Sequence, residues 1–219
     1  MQTYTEMQTE LLSRLLAANS STLFTTARIQ SVIKDAYMKA TSAYLWPMLE
    51  SAKYTDIKAN QYYYEYPTYF RTDSVFRVVI SGKLYERKDF EDFLNYKLEN
   101  PNDKDTLIYA DHARQIFIFP TPTANATAAF ETWGHIQATQ LSAGSDLTIF
   151  SSSDESGNEA VVKLAFAVLL SKINKNLAVA EEAEARALLA TIYSKILQRK
   201  QRDQRLDHAF FTVPDLFGE

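Results

Sequence analysis

Residues 76–86 have the sequence FRVVISGKLYE, which indicates strand structure in the middle of the chain. The aromatic and β-branched run Phe76–Ile80 predicts one strand, and Leu84–Glu86 predicts the strand that returns beside it. Ser81-Gly82-Lys83 separates them, and Gly82 is free to adopt the positive φ angle that a tight turn requires. These residues therefore predict an antiparallel β-hairpin.

Strand-like composition continues on both sides of this hairpin, from Gln61 to about Phe150. The segment is rich in Tyr, Phe, Val, Ile and Thr, which favour the pleated surface of a sheet. Further strands are predicted after the tyrosine-rich opening Tyr62–Pro67, at Thr106–Ala110, Gln115–Phe119 and Ala128–Ala138. Asp89–Leu98 interrupts them with a short helical pattern. The middle of the chain is therefore predicted to be mainly β.

Helical periodicity occupies both ends of the chain. Helices are predicted at Met7–Ala18, from Thr25 or Thr26 to Trp46-Pro47, from Ser156 or Asn158 to about Asn174, and from about Val179 to Asp207. Segregated helices and strands predict an α+β fold, here a helical bundle from N- and C-terminal helices with an antiparallel β-rich insertion. The predicted parts are the N-terminal helices (1–58), the insertion (59–150), the C-terminal helices (151–209) and an extended C-terminal arm (210–219).

The composition narrows the possible functions. With 46% apolar and 23% charged residues in 219, the chain is expected to be a soluble, cytosolic globular protein. No apolar run approaches the roughly 18 residues of a membrane span, so no membrane partner is expected. A net charge of −4 does not favour tight binding to nucleic acid phosphates. This charge is still compatible with lining a conduit through which DNA passes in transit.

The sequence offers few residues for catalysis. It contains no Cys, and its three histidines, His112, His135 and His208, are far apart and lie in no metal-binding motif. Glycine-rich phosphate loops and GxSxG elbows are absent. We therefore expect no catalytic residues, no metal and no cofactor. One enzymatic alternative uses the crowded carboxylates of a glycosidase-type pair, at Glu86, Asp89, Glu91 and Asp92, although these residues equally suit the solvated face of a short helix.

The last predicted helix ends in a run of basic residues, comprising Lys195, Arg199, Lys200, Arg202 and Arg205. Cations near a helix C-terminus are stabilised by the helix dipole, so a solvated helix end is one interpretation. The other is a contact with an acidic partner surface or with passing DNA. The residue pattern does not separate these two interpretations.

The C-terminal segment is apolar without helical periodicity, with Phe210, Phe211, Val213, Pro214, Leu216 and Phe217 within ten residues. Pro214 prevents these side chains from forming one helical stripe. Because an exposed apolar segment promotes association, we expect this arm to dock, either on its own domain or on another subunit.

Aromatic residues are abundant, with 13 Tyr and 13 Phe against only 5 Gly. Tyrosine combines an apolar ring with a polar hydroxyl, which suits both cores and interfaces. An inter-subunit or tail contact is predicted at Tyr62, Tyr63, Tyr64 and Tyr66. The same tyrosines, together with Trp133, are also compatible with a carbohydrate- or receptor-binding module.

Several short segments occur in a characteristic order: ARIQSVIKDAY at 27–37, Tyr44-Leu45-Trp46, YYEYPTYFR at 63–71, VISGKL at 79–84, IFIFPTP at 116–122, Asn158-Glu159-Ala160 and Tyr193. In this order the chain resembles the head-to-tail adaptor, or connector, proteins of tailed bacteriophages. The resemblance covers most of the chain and depends on the joint occurrence of weak motifs.

The resemblance implies a non-catalytic virion protein of the neck, assembled in the host cytoplasm. Such a subunit forms a homo-oligomeric ring, expected to be a dodecamer that matches the portal. It binds the portal protein through its C-terminal segment and binds tail or other neck proteins on its other side. The ring surrounds the DNA exit channel.

Overall fold

The computed structural model describes residues 1–18 and 24–211, and the side chains as far as Gln201. The described residues form five α-helices and seven β-strands. The helices are α1 (Tyr4–Ala17), α2 (Thr26–Ser42), α3 (Phe90–Glu99), α4 (Ser156–Leu170) and α5 (Lys175–Phe211). The strands are β1 (Glu50–Ile57), β2 (Tyr63–Glu65), β3 (Arg77–Ile80), β4 (Lys83–Arg87), β5 (Ile108–His112), β6 (Gln115–Phe119) and β7 (Ala126–His135).

The chain divides into two compact units. The helical unit combines Met1–Pro47 with Ala138–Glu219, and the sheet unit is Met48–Gln137. The predicted α+β class is confirmed, because the N- and C-terminal helices belong to one unit and the strands to the other.

Helix α4 forms the centre of the helical unit, where α1, α2 and α5 all pack against it. Its side chains are apolar on nearly every side, and its buried residues include Val161, Val162, Leu164, Ala165 and Leu169. A helix that is apolar all round must be enclosed by other elements. The other helices of the unit therefore bury α4 as a common core.

Helix starts are fixed by side-chain caps. The Thr3 hydroxyl accepts a hydrogen bond from the backbone N–H of Glu6, and Thr25, one of the two residues at which this helix was predicted to begin, caps α2. The Asn174 side-chain oxygen accepts from the N–H of Leu177 at 3.1 Å. Because Asn174 supplies this cap, α5 begins at Lys175, earlier than the predicted start near Val179.

The buried row of α1 is narrower than the spacing of its leucines indicates. Periodicity alone groups Leu11, Leu12, Leu15 and Leu16, but the structure buries Leu11 and Leu15 together with Met7. Leu12 and Leu16 are exposed. The buried residues lie four apart, which places them in one narrow row along the helix. Two leucines therefore remain on the outer surface of α1.

Helix α5 is much longer than the helix that it packs against. Its 37 residues correspond to about 55 Å, whereas the 15 residues of α4 correspond to about 22 Å. Helix α4 can therefore accompany only part of α5. The remaining length carries the C-terminal end of α5 beyond the span of α4.

The seven strands form one sheet in the order β1-β7-β3-β4-β5-β6-β2. Every neighbouring pair is antiparallel except β4 and β5, which are parallel. The insertion was predicted to be antiparallel, and this pair is the departure. Helix α3 connects β4 to β5. It carries the chain back to the end of the sheet where β4 begins, so that β5 runs in the same direction as β4.

The first strand, β1, lies in the segment 1–58 that was predicted to contain only N-terminal helices, before the predicted start of the insertion at residue 59. Its residues Glu50–Ile57 are mostly polar and largely exposed, so they show no apolar alternation. The strand forms by pairing with β7 along most of its length. At the other boundary, residues 138–150 belong to the helical unit.

The predicted hairpin is present as β3 and β4, with Ile80 paired to Lys83. Ser81 has a φ of 50° and Gly82 a φ of 78°. Positive φ at both central residues is the requirement of the two-residue turn that matches the twist of a sheet. Gly82 therefore occupies a position where its lack of a β-carbon matters.

Replacing Gly82 with Ala is expected to lower the free energy of unfolding by about 1 kcal/mol, because an L-residue is strained at positive φ. No atom lies within 4 Å of the added β-carbon, so the effect is due to the backbone alone. Urea unfolding of the variant measures it. Lys83→Ala, at the exposed neighbouring strand position, is the control, and equal losses in both variants would contradict the role of the turn.

Candidate interaction surfaces

A cluster of aromatic rings joins the end of α2 to α5 within the helical unit. Trp46 is fully buried, and its ring meets those of Tyr44, Phe150 and Tyr193 edge-on at centroid distances of 5.4, 5.1 and 5.5 Å. Tyr44 stacks on Tyr193 at 4.6 Å. The Trp46 indole N–H donates to the carbonyl of Ala40 at 3.1 Å. This aromatic cluster therefore fixes α5 at the point where its basic run begins.

A buried polar network anchors the loop before α4. The Asn158 amide donates to the Ser151 hydroxyl at 3.2 Å, and the Thr148 hydroxyl donates to the Asn158 side-chain oxygen. The backbone N–H of Phe150 donates to the Thr148 hydroxyl at 3.1 Å. Asn158 is completely buried, so each of these hydrogen bonds is made away from solvent. The network holds Phe150 in place against Trp46.

The structure describes the side chains of three of the five cations in the basic run. Lys195 and Arg199 are exposed, and Lys200 is half-buried. The pKa of Asp154 is lowered, chiefly by its hydrogen bond with Ser156, and also by the positive charges of Lys195 and Arg199. Lys195 and Arg199 therefore lie near the loop that precedes α4.

The other two cations of the run, Arg202 and Arg205, lie in the part of α5 whose backbone alone is described. The predicted C-terminal arm begins within the same helix, since the backbone of Phe210 and Phe211 continues α5. The remaining arm residues, Val213, Pro214, Leu216 and Phe217, lie outside the described residues.

Of the four tyrosines predicted to form a contact surface, two are buried and two are exposed. Tyr64 is buried and stacks on Phe130 at a centroid distance of 4.3 Å. Tyr66 is also buried, and its hydroxyl accepts hydrogen bonds from the backbone N–H groups of Ser74 and Val75 at 2.8 and 3.0 Å. Both residues therefore stabilise the interior of the sheet unit and are withdrawn from its surface.

Tyr63 on β2 and Tyr62 immediately before it remain exposed, and β2 is the strand at one edge of the sheet. Their rings lie 6.2 and 6.4 Å from that of Phe117, and the Lys97 ammonium lies 3.7 Å from the Tyr62 ring centroid. Trp133 is half-buried, and its indole N–H donates to Glu131. The platform considered for carbohydrate stacking is thus reduced to two tyrosines at β2.

The carboxylates considered for catalysis all lie on the surface. Glu86, Asp89, Glu91 and Asp92 are exposed, and Glu86 pairs with Lys88 at 2.7 Å. Across residues 1–18 and 24–201, no three or more His, Asp or Glu side chains are grouped to hold a metal ion. Nor does any described helix have the length and hydrophobicity needed to span a bilayer.

The histidines have separate surroundings. His112 stacks on Phe90 at a centroid distance of 4.3 Å, and His135 is buried with its Nε2 3.7 Å from a Glu50 carboxylate oxygen. The side chain of His208 lies outside the described part of the chain. These contacts give His112 and His135 local packing roles.

An ion-pair network links α2 to α5. A Glu182 carboxylate oxygen lies 2.8 Å from Lys39 on α2 and 2.8 Å from Arg186 on α5. The hydrogen bond with Lys39, followed by that with Arg186, lowers the pKa of Glu182 to about 2. A depressed carboxyl pKa stabilises the folded state above the ordinary value of 4.5, and this contribution is lost as pH falls towards 2.

Replacing Glu182 with Gln is therefore expected to lower stability at pH 6, and the difference from the wild type should shrink between pH 4.5 and pH 2. Urea unfolding at several pH values measures it. Glu159→Gln is the control, because Glu159 is an exposed glutamate of the helical unit for which no ion pair is found among the described residues. A wild-type advantage that grows on acidification would contradict the assignment.

A match to a known protein family extends over both the helical unit and the sheet unit. A family model described as SU10 adaptor protein matches residues 2–210. The chain belongs to this family. Membership agrees with the resemblance to phage adaptors, and it implies a structural role in the virion and interactions with other virion proteins. No curated protein sequence matches the chain significantly.

The residues that carry the resemblance are largely packing residues of the SU10 adaptor. Trp46 and Tyr193 meet in the aromatic cluster, and Asn158 organises the loop beside it. Spacing along the sequence could not bring them together, because Trp46 and Tyr193 lie at opposite ends of the chain. Of the residues predicted for binding, Tyr63, Tyr64 and Tyr66 belong to one of the segments that carry the resemblance, whereas the basic run lies along the second half of α5.

Proposed function

We propose that this SU10 adaptor forms a ring below the portal and joins it to tail or other neck proteins around the DNA exit channel. The observation that carries the proposal is the family match, which extends from residue 2 to residue 210 and therefore reaches every described helix and strand of both units. A dodecamer would match the portal ring one subunit to one.

The contact with the portal is assigned to the C-terminal arm and the end of α5. The length of α5 supports this assignment, since its C-terminal end extends beyond the span of α4. The arm residues Phe210–Phe217 include three phenylalanines, a leucine and a valine. Aromatic and aliphatic anchors of this kind commonly dominate binding energy when a partner buries them.

The basic run is assigned to an acidic surface of the partner or to DNA in transit. Lys195 and Arg199 are exposed near Asp154, on the stretch of α5 that follows the aromatic cluster. A local positive patch on a chain with a net charge of −4 favours contact with a defined acidic surface. Weak, transient contact with the DNA backbone is compatible with the same residues.

The sheet unit is assigned to contacts with neighbouring subunits or the tail. Tyr62 and Tyr63 are exposed beside Phe117 at the β2 edge, and tyrosines are enriched at protein interfaces. An exposed strand edge also offers backbone groups to a partner.

Sedimentation velocity of the purified chain mixed with portal rings tests the proposal. We expect the chain to co-sediment with the portal in a saturable way, at one chain per portal subunit. Capsid protein of the same virion serves as the control and should not carry the chain with it. If the chain stays unbound with the portal, or binds glycans as an isolated monomer, the structural assignment is wrong.

A further inference from the structure

An apolar groove with basic residues opens at one end of the helical unit, between the start of α2 and the end of α4. It has a volume of about 410 Å³ and is lined by Phe24, Thr25, Arg28, Lys172 and Ile173. Ile173 is 46% exposed in spite of its size. This aliphatic side chain at the mouth of the groove is accessible to a partner that fills the groove.

The two segments that line this groove carry basic residues and no acidic ones. No Asp or Glu occurs between residues 11 and 34 or between residues 160 and 180. Arg28 and Lys172 are exposed, and neither forms an ion pair with any described residue. The groove therefore suits an apolar element that also carries negative charge.

The sheet unit exposes an element of this kind on α3. The inner face of α3 is anchored by Phe93, which packs with Ile108 and Phe119. Its outer face carries Leu94 and Leu98, and Leu98 is 79% exposed. Two leucines four residues apart form one short apolar ridge on a helix.

Acidic residues accompany this ridge. Glu91 precedes Leu94 by three positions and Leu98 by seven, so the three residues lie in one row along α3. Glu91 is exposed, and no ion-pair partner for it is found within the described part of the chain. The outer face of α3 therefore matches the groove in both hydrophobicity and charge.

We propose that the outer face of α3 in one copy of the chain docks into the α2–α4 groove of a second copy. Leu94 and Leu98 fill the apolar groove, and Glu91 pairs with Arg28 or Lys172 at its rim. An amphipathic helix laid into a groove is a common mode of recognition, and opposite charges fix its position. The proposal rests on the ring assembly proposed above and assigns the surfaces that build it.

The two surfaces differ, so each copy presents both a ridge and a groove. When two unlike surfaces bind each other, each added copy can bind the next in the same way. Such a series of copies closes into a ring if the rotation between neighbouring copies brings the last copy back to the first. Among the described residues, none covers either surface, since Leu98 is 79% exposed and Ile173 is 46% exposed. Both surfaces therefore remain available to neighbouring subunits.

Cysteine cross-linking tests the contact cleanly, because the chain has no Cys of its own. The double variant Leu98→Cys/Ile173→Cys is bound to portal rings and treated with a short bis-maleimide. We expect a ladder of linked adaptor chains on a denaturing gel. An equal mixture of the two single variants should give linked dimers and no longer products, because each chain then has only one reactive surface.

The matched control replaces Leu98→Cys with Tyr54→Cys, another exposed residue of the sheet unit. The Tyr54→Cys/Ile173→Cys variant should yield at least about tenfold less linked product. If both double variants give the same yield, or the Leu98/Ile173 pair gives none while the chain is bound to the portal, the docking proposal is overturned. Failure of the wild-type chain to bind the portal is seen before any cross-linker is added, and it refutes the proposed function instead.

Discussion

Removal of residues 210–219 is expected to weaken binding of the chain to portal rings by about 100-fold, equivalent to about 2.7 kcal/mol. The segment contributes Phe210, Phe211, Val213, Leu216 and Phe217, and loss of a cluster of apolar anchors typically removes much of the binding energy. Titration of portal rings with the truncated chain, followed by sedimentation, measures the change. The helical content should change little, because the described core of the helical unit lies before residue 201.

A second variant separates the effect of the arm's side chains on binding from the effect of its length. In this variant residues 210–219 are replaced by a Gly/Ser segment of equal length, which removes the apolar side chains and keeps the chain length. It should bind as weakly as the truncated chain. Wild-type affinity in either variant would show that the portal contact lies elsewhere on the molecule.

Replacing Trp46 with Ala is expected to lower the free energy of unfolding by about 3–5 kcal/mol. The side chain is fully buried, contacts the rings of Tyr44, Phe150 and Tyr193, and uses its indole N–H in a hydrogen bond to Ala40. Its removal leaves a large cavity between α2, α5 and the loop before α4. Urea unfolding monitored by circular dichroism measures the loss.

Leu45→Ala provides the neighbouring control. Leu45 adjoins Trp46 but is exposed, so its truncation should change stability by only about 0.5 kcal/mol. If the two variants lost similar stability, the aromatic cluster would not have the structural role assigned to it.

Local signals predicted those parts of the fold that depend on nearby residues. Thr25 caps α2 because its hydroxyl reaches a backbone N–H three residues away. The β3–β4 hairpin forms because Ser81-Gly82 adopts the positive φ angles of a two-residue turn. In both cases the interaction lies within a few residues, so the sequence pattern alone is sufficient.

Elements that depend on distant partners were not predicted. Strand β1 has a polar, exposed sequence and exists because it pairs with β7, which lies about 80 residues later in the chain. The parallel pairing of β4 with β5 depends on where α3 packs. Likewise, the exposure of Leu12 and Leu16 follows from the packing of α1 on its neighbours, which periodicity cannot specify.

The candidate sites show the same limit. The tyrosines between residues 62 and 66 are chemically identical, yet Tyr64 and Tyr66 enter the core while Tyr62 and Tyr63 stay on the surface. Strand alternation separates Tyr63 from Tyr64, but it does not indicate which face is inside. The groove at Arg28 and Ile173 was also missed, because its walls come from the start of α2 and the turn after α4, which are distant in sequence.

The mass of the portal-bound complex is the most direct test of ring assembly. Native mass spectrometry of portal rings saturated with the chain counts the bound subunits. A single closed species with one adaptor per portal subunit, twelve on a twelve-fold portal, is the expected result. A broad distribution of partial occupancies at saturation, or a mass equal to that of the portal alone, would contradict the proposed ring.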